Sequence, residues 1–170
     1  SEPAEIPVVA VDPHTGPAGI PTVDADNVAG AVLATEHLLA LGHRRIGVIG
    51  GPEWILCSRA RLDGYRAAMD EAGVPIGADL VSHGKFHVAE GIDRGRALLR
   101  LKDRPTAIFA GNDLAAIGAL NAIEEGEGYK LLMEGHGYTQ EDLAKVIGKS
   151  RSHLANTLRL LKLPDSVQDL

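Results

Sequence analysis

Polar side chains that follow predicted strands are the first candidates for chemistry in this 170-residue chain. Asp12 ends one apolar run, at 6–12, and Asn112 and Asp113 follow another, at 107–110. Ligands bind outside the carboxyl ends of the strands in open α/β sheets, so all three residues are candidate ligand contacts. Asn and Asp side chains also cap helices, because they accept hydrogen bonds from the first free N–H groups of a helix. The pattern leaves ligand binding and helix capping open.

Histidine, cysteine and glycine residues in the same part of the chain do not favour a catalytic, metal or phosphate site. His83 and His87 lie in a predicted extended segment without an evident third metal ligand. Cys57 with His43 lacks an orienting third group, and the glycines at 47, 50 and 51 form neither a GxGxxG motif nor a P-loop. We therefore expect no metal, no cofactor and no enzymatic activity.

A basic stretch without acids between Asp142 and Asp165 is suited to nucleic acid, since basic side chains bind phosphates and polar ones read base edges. The candidate DNA-contact residues are Lys149, Ser150, Arg151, Ser152, His153, Asn156, Thr157 and Arg159. A solvated basic face on a helical hairpin is the alternative, and the spacing favours DNA binding over it. The net charge of −6 restricts any DNA contact to a local surface.

Strands and helices alternate strictly in the first 120 residues, which we take as one α/β domain, 1–120. The predicted strands are 6–12, 45–49, 80–86 and 107–110, and the predicted helices are 27–41, about 62–72, 88–101 and one that starts at Asn112 or Asp113. Short apolar runs such as 6–12 read as buried strands. This alternation predicts a mostly parallel sheet with helices on both faces.

In the last fifty residues, 121–170, apolar side chains recur at helical spacing. This pattern predicts an all-α helix-turn-helix unit. A cap at Thr139 begins a helix at 140–147, Gly148 ends it, and Ser150 caps a second helix at 151–161. Small Ala144 allows the two helices to cross closely. The expected joint core is Leu143, Ile147, Leu154 and Leu158. No linker separates this unit from the α/β domain, so we expect one shared or kinked helix from about residue 113 toward 133.

The segment 121–170, with its core TQEDLAKVIGKSRSHLANTLRLLKLP, resembles the central DNA-binding region of the ParB family of chromosome-partitioning proteins. The resemblance implies a recognition helix at 151–161 and a short palindromic DNA target. The nucleotide-binding domain that precedes this region in the family has no counterpart in the α/β half. We therefore do not expect CTP binding or spreading on DNA.

The segment from about 6 to 123 resembles the effector-binding core of the lactose- and galactose-repressor (LacI/GalR) family. The resemblance rests on VDADNVAGAVLATEHLLALGHRRIGVIGGP, RARLDGYRAAMDEAG and RPTAIFAGNDLAAIGAL. It implies a periplasmic-binding-protein-like, Rossmann-like fold, truncated here because only part of that core is matched. It also implies effector contacts at Asp12, Arg61, Phe86 and Asn112. With one lobe of the cleft, we expect at most weak binding of a sugar-like effector, and an exposed sheet edge through which a homodimer forms.

The two resemblances meet at ALNAIEE, which predicts an engineered or recombined chimera of two fragments joined within a helix. We expect a DNA-binding, regulatory-type protein that uses the α/β part as a scaffold. A sugar-binding module, or a chimera without selected function, are the alternatives. No apolar run reaches the roughly 20 residues of a membrane helix and no signal-peptide pattern is found, so the cytoplasm is the expected compartment.

Overall fold

The computed structural model describes residues 6–13 and 19–158, apart from the side chains of residues 127, 131, 132, 136, 156 and 157. The described strands are β1 (Ala10–Val11), β2 (Thr22–Val23), β3 (Ile46–Gly50), β4 (Val81–His83) and β5 (Ala107–Ala110). The described helices are α1 (Asn27–Ala40), α2 (Leu56–Glu71), α3 (Val88–Leu99), α4 (Asp113–His136), α5 (Gln140–Val146) and α6 (Arg151–Leu158). A short 3-10 helix, Ala78–Leu80, precedes β4.

The central sheet is parallel, with the strand order β4-β3-β5. All five residues of β3 are buried, because this middle strand is covered on both faces. The prediction of a parallel sheet between helices is thereby confirmed. β4 and β5 are the two outer strands of this described sheet.

One face of the sheet packs against α1 and α2. Tyr65 of α2 is fully buried there, and its hydroxyl donates a hydrogen bond of 2.9 Å to the carbonyl oxygen of Ile46. Its ring stacks on Phe109 of β5 at 6.4 Å between centroids. Burial raises the pKa of Tyr65 to about 12, so the phenol stays protonated and able to donate.

The other face packs against α3 and α4, where Ile49, Leu98, Ala115 and Ala119 form a second cluster. The two helices approach closely because glycines face each other across the contact. A Cβ added to Gly118 would lie 2.6 Å from the Cα of Gly91 and closer still to a carbonyl oxygen of α3. These backbone atoms cannot move aside as a flexible side chain would, so α3 and α4 tolerate no side chain at this point.

The apolar run at 6–12 differs from its prediction as a buried strand. Only Ala10–Val11 form a strand, which pairs in parallel with β2 in a separate two-stranded sheet. Ile6 and Val11 are 82% and 75% exposed. A two-stranded ribbon has no packed layer to cover its apolar side chains, and therefore the run stays at the surface.

The predicted strand at 80–86 is also shorter in the structure, where β4 is Val81–His83. The 3-10 turn occupies Leu80, and Phe86 has a φ of +61°, in the left-handed region that extended strands do not use. The helix predicted at about 62–72 begins six residues earlier in the structure, at Leu56. The remaining predicted elements agree with the structure to within a few residues at their described ends.

The C-terminal part of the described chain is helical, as predicted. α4 runs unbroken from Asp113 to His136, so the proposed domain boundary at 120 falls inside a helix and stays a prediction. Thr139 and Asp142 form a reciprocal capping box at α5, and Gly148 ends the α5 turn with a φ of +66°. α6 is described as far as Leu158, so the predicted end at 161 lies outside the described residues. No described helix is both long enough and apolar enough to span a bilayer.

We predict that Gly118→Ala lowers the free energy of unfolding by about 1–3 kcal/mol, because the added methyl group forces α3 and α4 apart. Gly30→Ala is the matched control: Gly30 lies inside α1 with nothing within 4 Å of an added Cβ, and the change should stabilise by up to about 1 kcal/mol. Urea denaturation followed by circular dichroism measures both. Equal midpoints for the two variants would contradict the close packing of α3 and α4.

Candidate functional site

A cleft of about 450 Å³ opens at the carboxyl edge of the central sheet, between the N-terminal ends of α1 and α4. Its polar lining residues are Asp26, Asn27, Arg61, Asn112 and Asp113. Three of them were candidates from the sequence, and the fold brings them together because parallel strands end at the same edge.

Arg61 of α2 is fixed at the wall of this cleft by two hydrogen bonds. Its Nε donates to Asn27 Oδ1 at 3.0 Å and its Nη1 donates to the carbonyl oxygen of Gly111 at 2.6 Å. Asn27 is 9% exposed, and its amide nitrogen donates to Asp24 Oδ1 and to the carbonyl oxygen of Ala25. The guanidinium is therefore pre-oriented, which suits recognition of oxygen-rich ligands.

Asn112 serves as the cap of α4. Its Oδ1 accepts a hydrogen bond of 2.9 Å from the backbone N–H of Ala115, and its Nδ2 lies 3.5 Å from the carbonyl oxygen of Phe86. The Phe86 ring covers Gly51, where an added Cβ would overlap it, and it also lies against Gly111. Asn112 therefore caps α4, which is one of the two roles that the sequence left open, and it also lines the cleft. Effector binding by Arg61, Phe86 and Asn112 stays a prediction.

Two of the four predicted effector residues, Asp12 and Phe86, are not among the described residues that line the cleft. Asp12 lies at the end of β1 with a φ of +50°, is exposed, and its N–H donates to the carbonyl oxygen of Val23. Sequence reasoning missed Asn27, although its place next to the helix cap Asp26 in VDADN was a usable signal.

The α5–α6 pair forms the candidate nucleic-acid interface. Leu143 and Ala144 of α5 and Leu154 of α6 are buried together, and Ile147 and Leu158 pack against them, as the sequence predicted. Ser150 Oγ accepts a hydrogen bond of 3.0 Å from the N–H of His153. The exposed side chains at the start of α6 are those of Lys149, Ser150, Arg151 and Ser152.

His153, one of the predicted DNA contacts, packs its ring against α4. Its Nε2 lies 3.3 Å from Glu125 Oε1, and the ring meets Tyr129 edge-on at 6.3 Å. Of the other predicted DNA contacts, Asn156 and Thr157 lie on α6 with side chains outside the described set, and Arg159 lies outside the described residues.

Glu125 is the centre of a polar cluster that the sequence did not reveal. We define the Glu125 cluster as Arg96, Glu125, Tyr129 and His153, from helices α3, α4 and α6. Arg96 Nη2 and His153 Nε2 pair with the two carboxylate oxygens, and Tyr129 donates to Oε1 at 2.7 Å. Burial raises the pKa of Glu125, but the hydrogen bonds from Tyr129, Arg96 and His153 outweigh it and lower the pKa to about 2.

The histidine and cysteine candidates that the sequence did not favour lie apart from one another. His83 Nε2 lies 3.6 Å from Glu53 Oε1, while His43 Nδ1 is 2.9 Å from Thr106 Oγ1. Cys57 is a buried free thiol. Among the residues that the structure describes, no group of three His, Cys, Asp or Glu side chains could hold a metal ion.

The chain matches a family model described as "Periplasmic binding proteins and sugar binding domain of LacI family" over residues 1–143. The chain belongs to this family. A second model, described as "ParB HTH domain", matches residues 118–170, so the two matches overlap in α4 and α5.

Named relatives agree with this assignment. The chain is 37% identical over 121 residues to "HTH-type transcriptional repressor PurR" of Haemophilus influenzae (strain PittEE), covering 71% of this chain and 35% of that protein. It is 38% identical over 112 residues to "HTH-type transcriptional regulator CelR" of Thermobifida fusca, covering 63% of this chain and 33% of that protein. The chain thus spans about a third of the length of these curated relatives.

A solved structure supports the fold assignment. The crystal structure of a regulatory protein of the LacI family from Chloroflexus aggregans superposes with a TM-score of 0.65 at 37% identity, over 70% of this chain and 43% of that one. The predicted periplasmic-binding-protein-like fold is therefore confirmed for the α/β part of this LacI-family chain.

Proposed function

We propose that this chain is a DNA-binding regulatory protein that contacts duplex DNA in a sequence-specific way through α5 and α6, with the LacI-family domain as its scaffold. The observation that carries the proposal is the α5–turn–α6 arrangement, in which two short helices share one apolar core and leave the first turn of α6 exposed. This is the geometry by which a helix-turn-helix presents its recognition helix to the major groove.

The charge at the start of α6 supports the proposal. Lys149 and Arg151 are exposed there, and the N-terminal end of a helix carries a partial positive charge. Ser150 and Ser152 add hydroxyl groups that bond phosphate oxygens or base edges. We keep Asn156, Thr157 and Arg159 as proposed contacts from the sequence alone. His153 is left out, because its ring faces Glu125.

The comparisons support the proposal from two sides. The named relatives of the α/β part are HTH-type transcriptional regulators, and the C-terminal 53 residues match the ParB HTH model at 118–170. We propose that the chain joins the two kinds of segment within α4, as a chimera. A protein that binds chromosomal DNA in this way would act in the cytoplasm.

We predict that a short palindromic duplex of the partition type binds this chain more tightly than a scrambled duplex, and that salt weakens the binding, because phosphate contacts release counterions. Arg151→Ala should reduce the affinity by about tenfold. Fluorescence anisotropy at low and moderate salt measures both effects.

The matched control for that experiment is Arg94→Ala, which removes an exposed guanidinium from α3 instead of α6. It should leave the affinity for the palindrome unchanged. Equal affinity for the two duplexes, or an equal loss in the two variants, would exclude α6 as the sequence-reading element.

A palindromic target further implies a two-fold symmetric dimer, which we propose forms through the free edge of β5. An apolar groove of about 310 Å³ runs beside that edge. Among its lining residues are Ile108 of β5 and Leu120 and Ile123 of α4. Leu120 is 53% exposed, and a second copy of the chain would cover it.

We predict that Leu120→Lys shifts the chain from dimer to monomer in sedimentation velocity, because it places a charge in the apolar groove. Leu33→Lys is the control, since Leu33 is 66% exposed on α1, which packs on the opposite face of the sheet. It should leave the dimer intact. Wild-type protein that sediments as a monomer would rule out this interface.

A second candidate function is weak binding of a sugar-like effector in the cleft. The observation that favours it is the fixed orientation of Arg61, held by Asn27 and the carbonyl oxygen of Gly111 beside the cap Asn112. A ligand with several hydroxyl groups matches this mixture of donors and acceptors.

We predict that D-ribose or D-galactose raises the melting temperature of the chain, since a ligand at tenfold its Kd stabilises by about 1.4 kcal/mol. Arg61→Ala should abolish the ligand-dependent increase even though it also lowers the starting temperature. Arg66→Ala, an exposed guanidinium five residues along α2, is the control that should keep the increase. No increase in the wild type would leave the cleft without this function.

A further inference from the structure

The Glu125 cluster bridges the LacI-family domain and the helix-turn-helix unit at the weakest turn of the helix they share. Glu125 directly precedes Gly126, and Gly128 follows two residues later, inside the unbroken helix α4. Each glycine in a helix interior is less favourable than alanine and makes bending easier. α4 is therefore easiest to bend at these two glycines, which lie between the half that packs on the sheet side and the half that packs on α5 and α6. We call this turn the weak point of α4.

Side chains from both sides of this weak point meet at one carboxylate. Arg96 comes from α3, which packs on the α/β sheet, while His153 comes from α6. Tyr129 lies one turn beyond Glu125, on the far side of Gly126 and Gly128. The side chains of Glu125, Arg96 and His153 are 22%, 26% and 21% exposed, so solvent screens these contacts less than surface ion pairs.

The cluster is poorly explained as a device for stability alone. Arg96 Nε is buried and has no hydrogen-bond partner among the described residues, and an unsatisfied buried donor is destabilising. Ion pairs removed from water often contribute little net stability, and in some proteins they define which arrangement is adopted. Arg96 is therefore better explained by the geometry that it imposes.

We propose that Glu125 is a positioning residue: by pairing with Arg96 of α3 and His153 of α6 it holds α4 straight across Gly126 and Gly128, and so fixes the orientation of the recognition helix relative to the LacI-family domain. The inference rests on the proposed function. Two copies of the chain that bind the two halves of one palindromic DNA site need the same fixed orientation of their recognition helices. The structural part of the inference can be measured without DNA.

The test is the distance between spin labels on the two units of the full chain. Labels are placed at Leu33→Cys on α1 and Val146→Cys on α5, both 66% exposed, with the buried thiol removed by Cys57→Ala. We expect a narrow distance distribution in this parent and a broader one with Glu125→Gln. Glu124→Gln, the exposed neighbour on α4, is the matched control and should leave the distribution narrow.

A rescue variant separates positioning from a general loss of structure. Gly128 has nothing within 4 Å of an added Cβ, so Gly128→Ala favours the helical conformation without a clash. Added to Glu125→Gln, it should restore the narrow distribution. If Glu125→Gln fails to fold, Arg96→Gln replaces it, with the same expected broadening and the same rescue.

Three results would overturn the proposal: a broad distribution in the parent, a distribution that stays narrow in the cluster variants, or no recovery with Gly128→Ala. In the DNA assay, Glu125→Gln should weaken binding of the palindrome several-fold and Gly128→Ala should recover it. Absence of DNA binding by the unlabelled wild type would refute the proposed function, whereas the distance result would still decide whether Glu125 positions the unit.

Discussion

Helix α4 packs against two separate hydrophobic cores, and the rest of the structure depends on this double contact. Its first half lies against α3 and the sheet, where Ala115 and Ala119 are buried. Its second half presents Tyr129 and Met133 to the core of α5 and α6. Because α4 is one continuous helix, its direction sets the position of the helix-turn-helix unit. The glycines at the α3 contact are what allow α4 to lie close to α3.

Polar side chains form two different arrangements along α4. At the amino end of α4, Asn112 caps the helix and Arg61 is held by Asn27, so polar side chains line an open cleft. Further along α4, Glu125 gathers partners from three helices in a partly buried cluster. The first arrangement leaves polar side chains beside open volume that a ligand could fill. The second satisfies most of its polar atoms internally, which favours a role in orientation.

The LacI-family match covers all of α4, and the ParB HTH match covers α4 from residue 118 onward. The two matches overlap at 118–143. Within this overlap, Ala119 of α4 packs in the core on the sheet side, and Tyr129 and Met133 pack in the core of α5 and α6. No linker is needed between the two cores, because side chains at helical spacing along one continuous helix contact both of them.

The sequence by itself determined the local structure. Apolar runs and helical periods located β3, β5 and the described helices to within a few residues, except for the start of α2, because hydrophobic periodicity and end signals such as Thr139 and Gly148 act over short distances. The family resemblances also supplied Arg61 and Asn112 as cleft candidates. The sequence did not reveal the close packing of the glycines or the polar contacts of the cleft.

Only the tertiary structure decided which polar side chains meet. The run at 6–12 is exposed because no packed layer covers its two-stranded ribbon. Asn27 joins Arg61 although 34 residues separate them, and His153 turns from the predicted DNA face to Glu125, 28 residues earlier. Such pairs depend on how whole helices stack. Sequence spacing fixes side chains on one helix face but does not specify the neighbour across it, and that is why the Glu125 cluster had to be seen in the fold.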